Sequence, residues 1–359
     1  MNRLTHIHVE GFKSIREADL DLGPLNVLIG ANASGKSNLL SLFRLLQVVL
    51  ADLERHVERA GGTDSLLHYG PKTTQRIDVA WEYVAEDGRL RWKAGLVLGY
   101  ARGALILEQG PEETLVLEGA AGTYASAGPD VERRGRAAVS DFESAKAGWH
   151  LYHLNDTSET AAIRQPQNVD DNRHLQSDAA NLAAYLHLLR ETARPYYDRL
   201  VRTVQLAFPE FEDFDVAPLE LNPRNVMLNW RELGRDKLFG PHDLSDGTLR
   251  FMALATLLLQ PPDRLPTLLI IDEPELGLHP SAITLLGGLL QSAAVFTQVI
   301  VATQSVSLVD QFEPEEIIVT ERRNGATEFA RLDPNSLQAW LEEYSVGELW
   351  EKNVIGGRP

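Results

Sequence analysis

Period-two alternation opens the chain. Ile7, Val9 and Phe12 fall close to strand spacing and Leu20 and Leu22 repeat it, so the pattern predicts an N-terminal hairpin turning near Arg16-Glu17-Ala18. Leu25-Asn26-Val27-Leu28-Ile29 is a short apolar run of the buried-strand type. A Gly-rich stretch follows, and a helical pattern then runs from Lys36 to about Glu58. From Arg76 to about Gly119 the character changes. Ile77–Val84, Arg89–Leu98 and Ala104–Leu107 read as strands of an antiparallel meander, with Glu86-Asp87-Gly88 as a hairpin turn. Residues 120–148, rich in Gly, Ala and charge, read as an excursion from it.

Helical periodicity returns over 175–208. Leu182, Tyr185, Leu186, Leu188 and Leu189 form one apolar stripe, and a second helix starts after Pro195. Val226–Trp230 looks like a strand. The final third alternates: helix over Thr248–Leu259, buried strand over Thr267–Ile271, helix over Ala282–Ser292, then strands over Val299–Ala302 and Ile317–Thr320. That alternation signals an α/β fold with a parallel sheet. The expected division is a first lobe over 1–119, an insertion and helical segment over 120–225, and a second lobe over 226–359. Leu337–Pro359 is partly helical around Leu341 and Leu349, and its Gly356-Gly357-Arg358-Pro359 end is expected to be mobile or held by a partner.

Composition changes the picture in three places. The formal net charge of −17 makes the chain as a whole a poor nonspecific nucleic-acid binder, and Arg133, Arg134 and Arg136, its densest basic run, read as a solvated loop. The absence of cysteine excludes disulfides, thiolate metal sites and cysteine nucleophiles, and fits a cytoplasmic protein. The alternating N-terminus is not a signal peptide, and no run of about 18 apolar residues predicts a membrane span.

Two segments carry candidate chemistry. Gly30-Ala31-Asn32-Ala33-Ser34-Gly35-Lys36-Ser37 matches G-x-x-x-x-G-K-[ST], between a predicted buried strand and a predicted helix. Gly30 and Gly35 let the backbone curl so that its N–H groups point at phosphate oxygens, and the helix adds the positive end of its dipole. Lys36 reaches the β- and γ-phosphates, and the Ser37 hydroxyl ligates Mg²⁺. The second segment, Leu268-Leu269-Ile270-Ile271-Asp272-Glu273, is an apolar strand ending in two acids, a costly arrangement without a purpose. In a phosphate-binding protein of this type Asp272 holds the Mg²⁺ shell and Glu273 polarises the attacking water. The plain alternative is a helix cap with an acidic first turn, which Pro274 also allows.

Two further segments stay open on chemistry alone. Gln304, in Ala302-Thr303-Gln304-Ser305, is a polar group suited to touch a γ-phosphate or the water, while Ser305 reads equally as a helix cap. Leu244-Ser245-Asp246-Gly247-Thr248 opens a helix either as an ordinary N-cap or as an anion-binding helix start.

The order GANASGKSN, LSDGT, LLIIDEPELGLHP, VATQS resembles the ABC-class ATPases of the SMC and RecF type. More narrowly, it is similar to the bacterial AAA-type ATPases related to the OLD (overcoming lysogenisation defect) group. The resemblance spans residues 1–75 and about 175–359. It implies a P-loop NTPase with an ABC-like head that binds ATP and Mg²⁺ and hydrolyses ATP. Carried over residue by residue, Asn32, Ala33, Ser34 and Asn38 join Gly30, Gly35, Lys36 and Ser37 around the nucleotide. Lys13 and Ser14, within Gly11-Phe12-Lys13-Ser14-Ile15, border the nucleotide. Ser245 and Gly247 of the signature contact the γ-phosphate of ATP held by another subunit, so ATP is sandwiched in a head-to-tail homodimer. Glu275–Pro280 matches the dimer-contact loop, and Gln304 takes the place of a switch histidine. Gln75 is the nearest candidate for the Q-loop glutamine, with a solvent-facing turn as the alternative.

The stretch between the half-sites shows no sustained heptads, so a compact head is expected rather than a long-armed tether. The chain after Gln304 is too short for the TOPRIM nuclease domain that OLD nucleases carry, so any nuclease is expected to act in trans as a separate effector. Asp19-Leu20-Asp21 and Asp213-Phe214-Asp215 read as ordinary strand or turn carboxylates. The leading function is an ATP-driven switch controlling an effector in anti-phage defence or DNA repair. The competitors are a repair ATPase binding DNA ends or gaps, a small-molecule kinase, and a transporter subunit.

Overall fold

In the computed structural model, residues 3–84, 90–117 and 146–358 are described. The chain divides into one unit made of Met1–His150 with Glu313–Pro359, and a second made of Leu151–Phe312.

In the first unit, β1 (Arg3–Phe12) and β2 (Ile15–Asp21) form a hairpin as expected, with His6 opposite Asp21 and His8 opposite Asp19. It turns at Lys13-Ser14, and Arg16-Glu17-Ala18, expected as the turn, lie within β2 because Phe12 already pairs with Ile15. β3 (Leu25–Ile29) is buried at every residue. α1 (Lys36–Val48) buries Leu39, Leu42, Phe43 and Leu46 on one face. The long helix predicted from Lys36 breaks after Val48. The N–H groups of Ala51 and Asp52 both turn back to the Val48 carbonyl, and α2 (Leu53–Arg59) then starts with no buried residue to anchor it as a continuation. β4 (Arg76–Val84), β5 (Leu90–Ala101) and β6 (Ala104–Leu117) are the antiparallel meander, giving a sheet in the order β2-β1-β4-β5-β6. Ile7, Val9, Ile77, Val79 and Trp81 alternate inward, as period two requires. The turn expected at Glu86-Asp87-Gly88, most of the 120–148 excursion and the Arg133–Arg136 run lie outside the described residues. β7 (Trp149–Tyr152) carries the chain into the second unit.

There, α3 (Leu182–Thr192) buries Leu182, Tyr185, Leu186 and Leu189, while Leu188 is half-buried. α4 (Arg194–Ala207) starts with Pro195 in its first turn. It packs by Tyr197 on Phe214, beside an aromatic cluster of Phe211, Phe214 and Trp230 on the antiparallel strands β8 (Phe211–Asp215) and β9 (Asn229–Glu232). The strand predicted over Val226–Trp230 is interrupted, because Asn229 N–H turns back to the Met227 carbonyl. α5 (Asp246–Leu259) is buried on all sides from Leu249 onward, as a central helix is. β10 (Leu268–Asp272) and β11 (Gln298–Ala302) pair in parallel, with Asp272 opposite Ala302, joined through α6 (Pro280–Ala294). The short α7 (Val306–Val309) follows.

The chain then returns to the first unit. β12 (Ile317–Arg323) pairs in parallel with β3 and turns through Asn324-Gly325 into antiparallel β13 (Ala326–Arg331). Both turn residues have positive φ (50° and 83°), the conformation a tight hairpin demands. α8 (Pro334–Leu341) and α9 (Val346–Glu351) bury Leu337, Leu349 and Trp350. The Gly-Gly end, expected to be mobile or held by a partner, is held at Gly357 by its own chain. Gly357 accepts from Trp350 Nε1 at 2.6 Å and donates its N–H to Glu321 at 2.5 Å.

Candidate functional site

The strand–loop–helix that the sequence marked for phosphate lies wholly in the first unit. β3 delivers the chain to Gly30 (φ 150°), and the loop passes through Ala33 (φ 61°) and Gly35 (φ 119°) into α1. Glycine is required at two of these positions by packing as well as by φ. A Cβ on Gly30 would strike the Thr320 carbonyl, and one on Gly35 would strike the Thr327 side chain. Gly35 caps α1 without a side chain, so the first-turn N–H groups of the helix face the loop with no side-chain acceptor. Asn32, Ala33 and Ser37 are exposed, and Lys36 and Ser34 are buried. The Lys36 ammonium folds back on the loop, donating to the carbonyls of Gly30 and, at 3.1 Å, Ala31. The Ser34 hydroxyl is buried without a hydrogen-bond partner. Positive-φ glycines, a helix start without a side-chain cap, a buried hydroxyl and a lysine at the first helical position fit a triphosphate. The exposed Ser37 hydroxyl is the kind of hard oxygen that Mg²⁺ takes.

A chain of side-chain hydrogen bonds braces this loop from behind. Asn38 Nδ2 donates to Ser14 Oγ at 2.5 Å, and Ser14 Oγ meets Thr327 Oγ1 at 2.6 Å. Thr327 Oγ1 donates to the Ser34 carbonyl at 2.8 Å, and the Thr327 N–H donates to the Ser14 carbonyl at 2.7 Å. Ser14 therefore joins the loop through its hydroxyl. Lys13 (φ 49°) donates its N–H to the Leu66 carbonyl, and burial, then the charge of Arg44, lowers its ammonium pKa. Lys13, Ser14 and Asn38 line a cavity of about 590 Å³ with Asp64, Tyr69 and Arg322. Gln75 is elsewhere: it is exposed just before β4, its carbonyl accepting from the Tyr100 N–H.

The paired acids lie in the second unit. Asp272 ends β10 half-buried, with His153 Nδ1 3.9 Å from its Oδ2. Glu273 turns into the left-handed region (φ 45°) while its N–H donates to the Ala302 carbonyl at 2.8 Å. That turn brings its carboxylate to the end of β11, where Gln304 Nε2 donates to Glu273 Oε1 in a short contact. Ser305 caps α7, accepting from the Leu308 N–H at 3.2 Å, as the cap reading of this segment expects.

Ser245 is the N-cap of α5, its hydroxyl accepting from the Thr248 N–H at 3.1 Å, and it is exposed. Gly247 lies so close to Gly277 that a Cβ would strike the Gly277 carbonyl. Two arginines fix this helix start. The buried Arg164 donates to the carbonyls of Thr157 and Leu244, at 2.8 and 3.2 Å, to the Pro241 carbonyl in a short contact, and to Asp246 Oδ1 at 2.7 Å. Arg250 donates to the carbonyls of Leu154 and Asn155, at 2.7 and 3.2 Å, and to the Leu276 carbonyl in a short contact. Sequence reasoning missed Arg164, Arg250, His153, Thr303 and Thr327. Only Arg250 left a signal, as a cation inside the apolar run Leu249–Leu259.

A glycine cradle at the end of a buried strand, a lysine and serine at the helix start and an acidic pair ending a parallel strand define a P-loop ATPase of the AAA/ABC class. The sequence profile of the family described as "AAA domain, putative AbiEii toxin, Type IV TA system" matches residues 25–310, and the chain belongs to that family. A "Putative ABC transporter ATP-binding protein" of Methanosarcina acetivorans is 35% identical over 128 residues, which span 33% of this chain and 45% of that protein. The fold is that of SMC head domains. It matches the SmcHead bound to the C-winged helix domain of ScpA with a TM-score of 0.62 at 15% identity, over 94% of this chain and 99% of that one. It matches the Pyrococcus furiosus Smc head, bound to the C-terminal domain of ScpA, with a TM-score of 0.59 at 15% identity, over 96% and 99% of the two chains. The protein is thus an ATPase. Among the described residues no helix is long and apolar enough to cross a membrane.

Proposed function

We propose that the cradle of the first unit holds Mg-ATP by its phosphates, and that the chain works as a nucleotide-controlled head that pairs with a second copy and regulates a separate effector. Lys36 exchanges the carbonyls of Gly30 and Ala31 for phosphate oxygens, and the loop amides and Ser34 hydroxyl complete the grip. The cavity lined by Lys13, Ser14, Asn38 and Tyr69 has the size of a site for a base and ribose. Ser37 in the first unit and Asp272 in the second each offer the hard oxygen that Mg²⁺ takes, and the ion when bound would spread the phosphate charge. Glu273 takes the proton of the attacking water, and the Gln304 amide, by donating to that carboxylate, fixes its direction.

The observation that carries the pairing is the start of α5. Ser245 is exposed, Gly247 brings the helix start against Gly277, and Arg164 and Arg250 hold the whole turn rigid. A rigid, solvent-facing helix start is a preorganised anion site, and the γ-phosphate of ATP on a second copy is the ligand it suits. The family's description names a toxin–antitoxin system, an arrangement of two components, and this supports a separate partner protein. Sedimentation of Glu273→Gln with and without Mg-ATP tests this. The expected result is a doubled mass with nucleotide that is lost in Glu273→Gln/Ser245→Arg. An unchanged mass ends the pairing reading, and pairing that requires added DNA replaces the effector reading with a DNA-repair one.

A further inference from the structure

We infer that Glu275 is a positioning residue for hydrolysis, holding the Thr303–Gln304 turn so that the Gln304 amide reaches Glu273. The inference rests on Glu273 being the base. Glu275 stands just past Pro274 and is buried, with 8% of its surface exposed. A buried carboxyl is costly unless its oxygens are hydrogen-bonded. Both donors it receives come from the end of β11: Thr303 Oγ1 at 2.6 Å and the Gln304 N–H at 3.0 Å, both to Oε1. Thr303 is fully buried, and its hydroxyl accepts from the Ser305 N–H at 3.0 Å. One carboxyl oxygen therefore pins Thr303 and Gln304 directly, and Ser305 follows through the Thr303 hydroxyl.

With its backbone fixed in this way, the Gln304 side chain lies where its Nε2 meets Glu273 Oε1. Glu273 is held from its own side by the strained φ and by the bond to Ala302. Glu275 is not serving as an ion-pair partner. Arg250, on which the Glu275 charge acts, donates its N–H groups to the carbonyls of Leu154, Asn155 and Leu276. The second oxygen, Oε2, is buried with no hydrogen-bond partner. An unpaired buried oxygen opposes stability, so the carboxyl is kept for what its other oxygen holds. Burial raises the Glu275 pKa, consistent with a group that acts as an acceptor and need not ionise.

Steady-state turnover and ATP binding of four variants test this. Glu275→Ala is expected to lower kcat by about tenfold or more while KM and the ATP Kd stay within about twofold, the signature of a lost transition-state contact. Glu275→Gln keeps an acceptor at Oε1 and is expected to retain kcat within about threefold. In a Gln304→Ala background, Glu275→Ala is expected to cost less than about a further twofold, because both changes remove one arrangement. Wild-type kcat in Glu275→Ala, equal loss in Ala and Gln, or fully additive loss with Gln304→Ala would each overturn the assignment. Should Glu275→Ala fail to fold, Thr303→Val decides: kcat reduced about threefold or more at constant KM supports it, and unchanged kcat refutes it. Glu273→Gln runs alongside. If it turns over normally, the base assignment fails; if it is inactive while Glu275→Ala is normal, the positioning role alone fails.

Discussion

Thr327→Val isolates the bracing of the phosphate cradle. Thr327 is 1% exposed, and valine keeps its volume, so no cavity cost enters. The lost interactions are the donation to the Ser34 carbonyl and the contact with the Ser14 hydroxyl. Two hydrogen bonds at about 1 kcal/mol each, with a further 1–2 kcal/mol where a buried partner is left unpaired, give a loss of about 2–4 kcal/mol. Since the Ser34 carbonyl belongs to the loop proposed to grip phosphate, part of that loss is expected to fall on binding. We expect ATP affinity to drop about tenfold, equivalent to about 1.4 kcal/mol. Urea melts and ATP titration by calorimetry measure the two effects. Thr327→Ser keeps the hydroxyl and should bind ATP within about twofold of wild type. Ser14→Ala breaks the same chain one link earlier, so the double variant should lose less than the sum of the singles. Wild-type melting and affinity in Thr327→Val, or strict additivity with Ser14→Ala, would refute the reasoning.

Lys36→Ala removes the only ammonium of the cradle and should reduce turnover by about a hundredfold or more, measured by phosphate release. Gly357→Val forces a β-branched residue to φ 60° against Val319 and 3.5 Å from the Gly30 Cα; a stability loss of about 1–3 kcal/mol and weaker ATP binding are expected by melting and titration. Arg164→Ala leaves the carbonyls of Thr157 and Leu244 and the Asp246 carboxylate without their donor, and should cost about 3 kcal/mol in urea melts and abolish ATP-driven pairing. The β1–β2 hairpin should depend on pH. Burial lowers the His6 pKa but hydrogen bonds and charges of Asp21 and Asp19 outweigh it, so the net shift is upward. Its stabilisation is full below about pH 6.5 and lost as pH rises through the folded value. The Asp19 pKa is lowered, chiefly by its hydrogen bond to His8, so that contribution is lost as pH falls below its ordinary value of 3.8. Asp19 and Asp21 are largely exposed and the histidines half-buried, so melts across pH 4–8 should show Asp19→Asn flattening this profile by less than about 1 kcal/mol.

What could be read from the sequence was whatever a short stretch of chain decides on its own. The cradle spacing, the strand-ending acids and the Ser245 cap are local: their geometry follows from residues a few positions apart, and the structure builds each where the spacing indicated. The braces are of another kind. Ser14 and Thr327 meet across 313 positions, and Arg164 reaches Leu244 across 80. A threonine in a hairpin strand and an arginine in a loop carry no period and no motif. The break after Val48 escaped for a related reason: apolar spacing continues past it, and only the turn of Ala51 and Asp52 back to Val48 shows that the buried face has ended. Glu275 falls between the two kinds. Its place beside the acids was visible, yet its work became legible only when Thr303 and Gln304 were seen donating to one of its oxygens while the other was left with none. Motifs place the groups proposed to touch the nucleotide, whereas long-range hydrogen bonds decide whether those groups hold still, and the two can be broken separately.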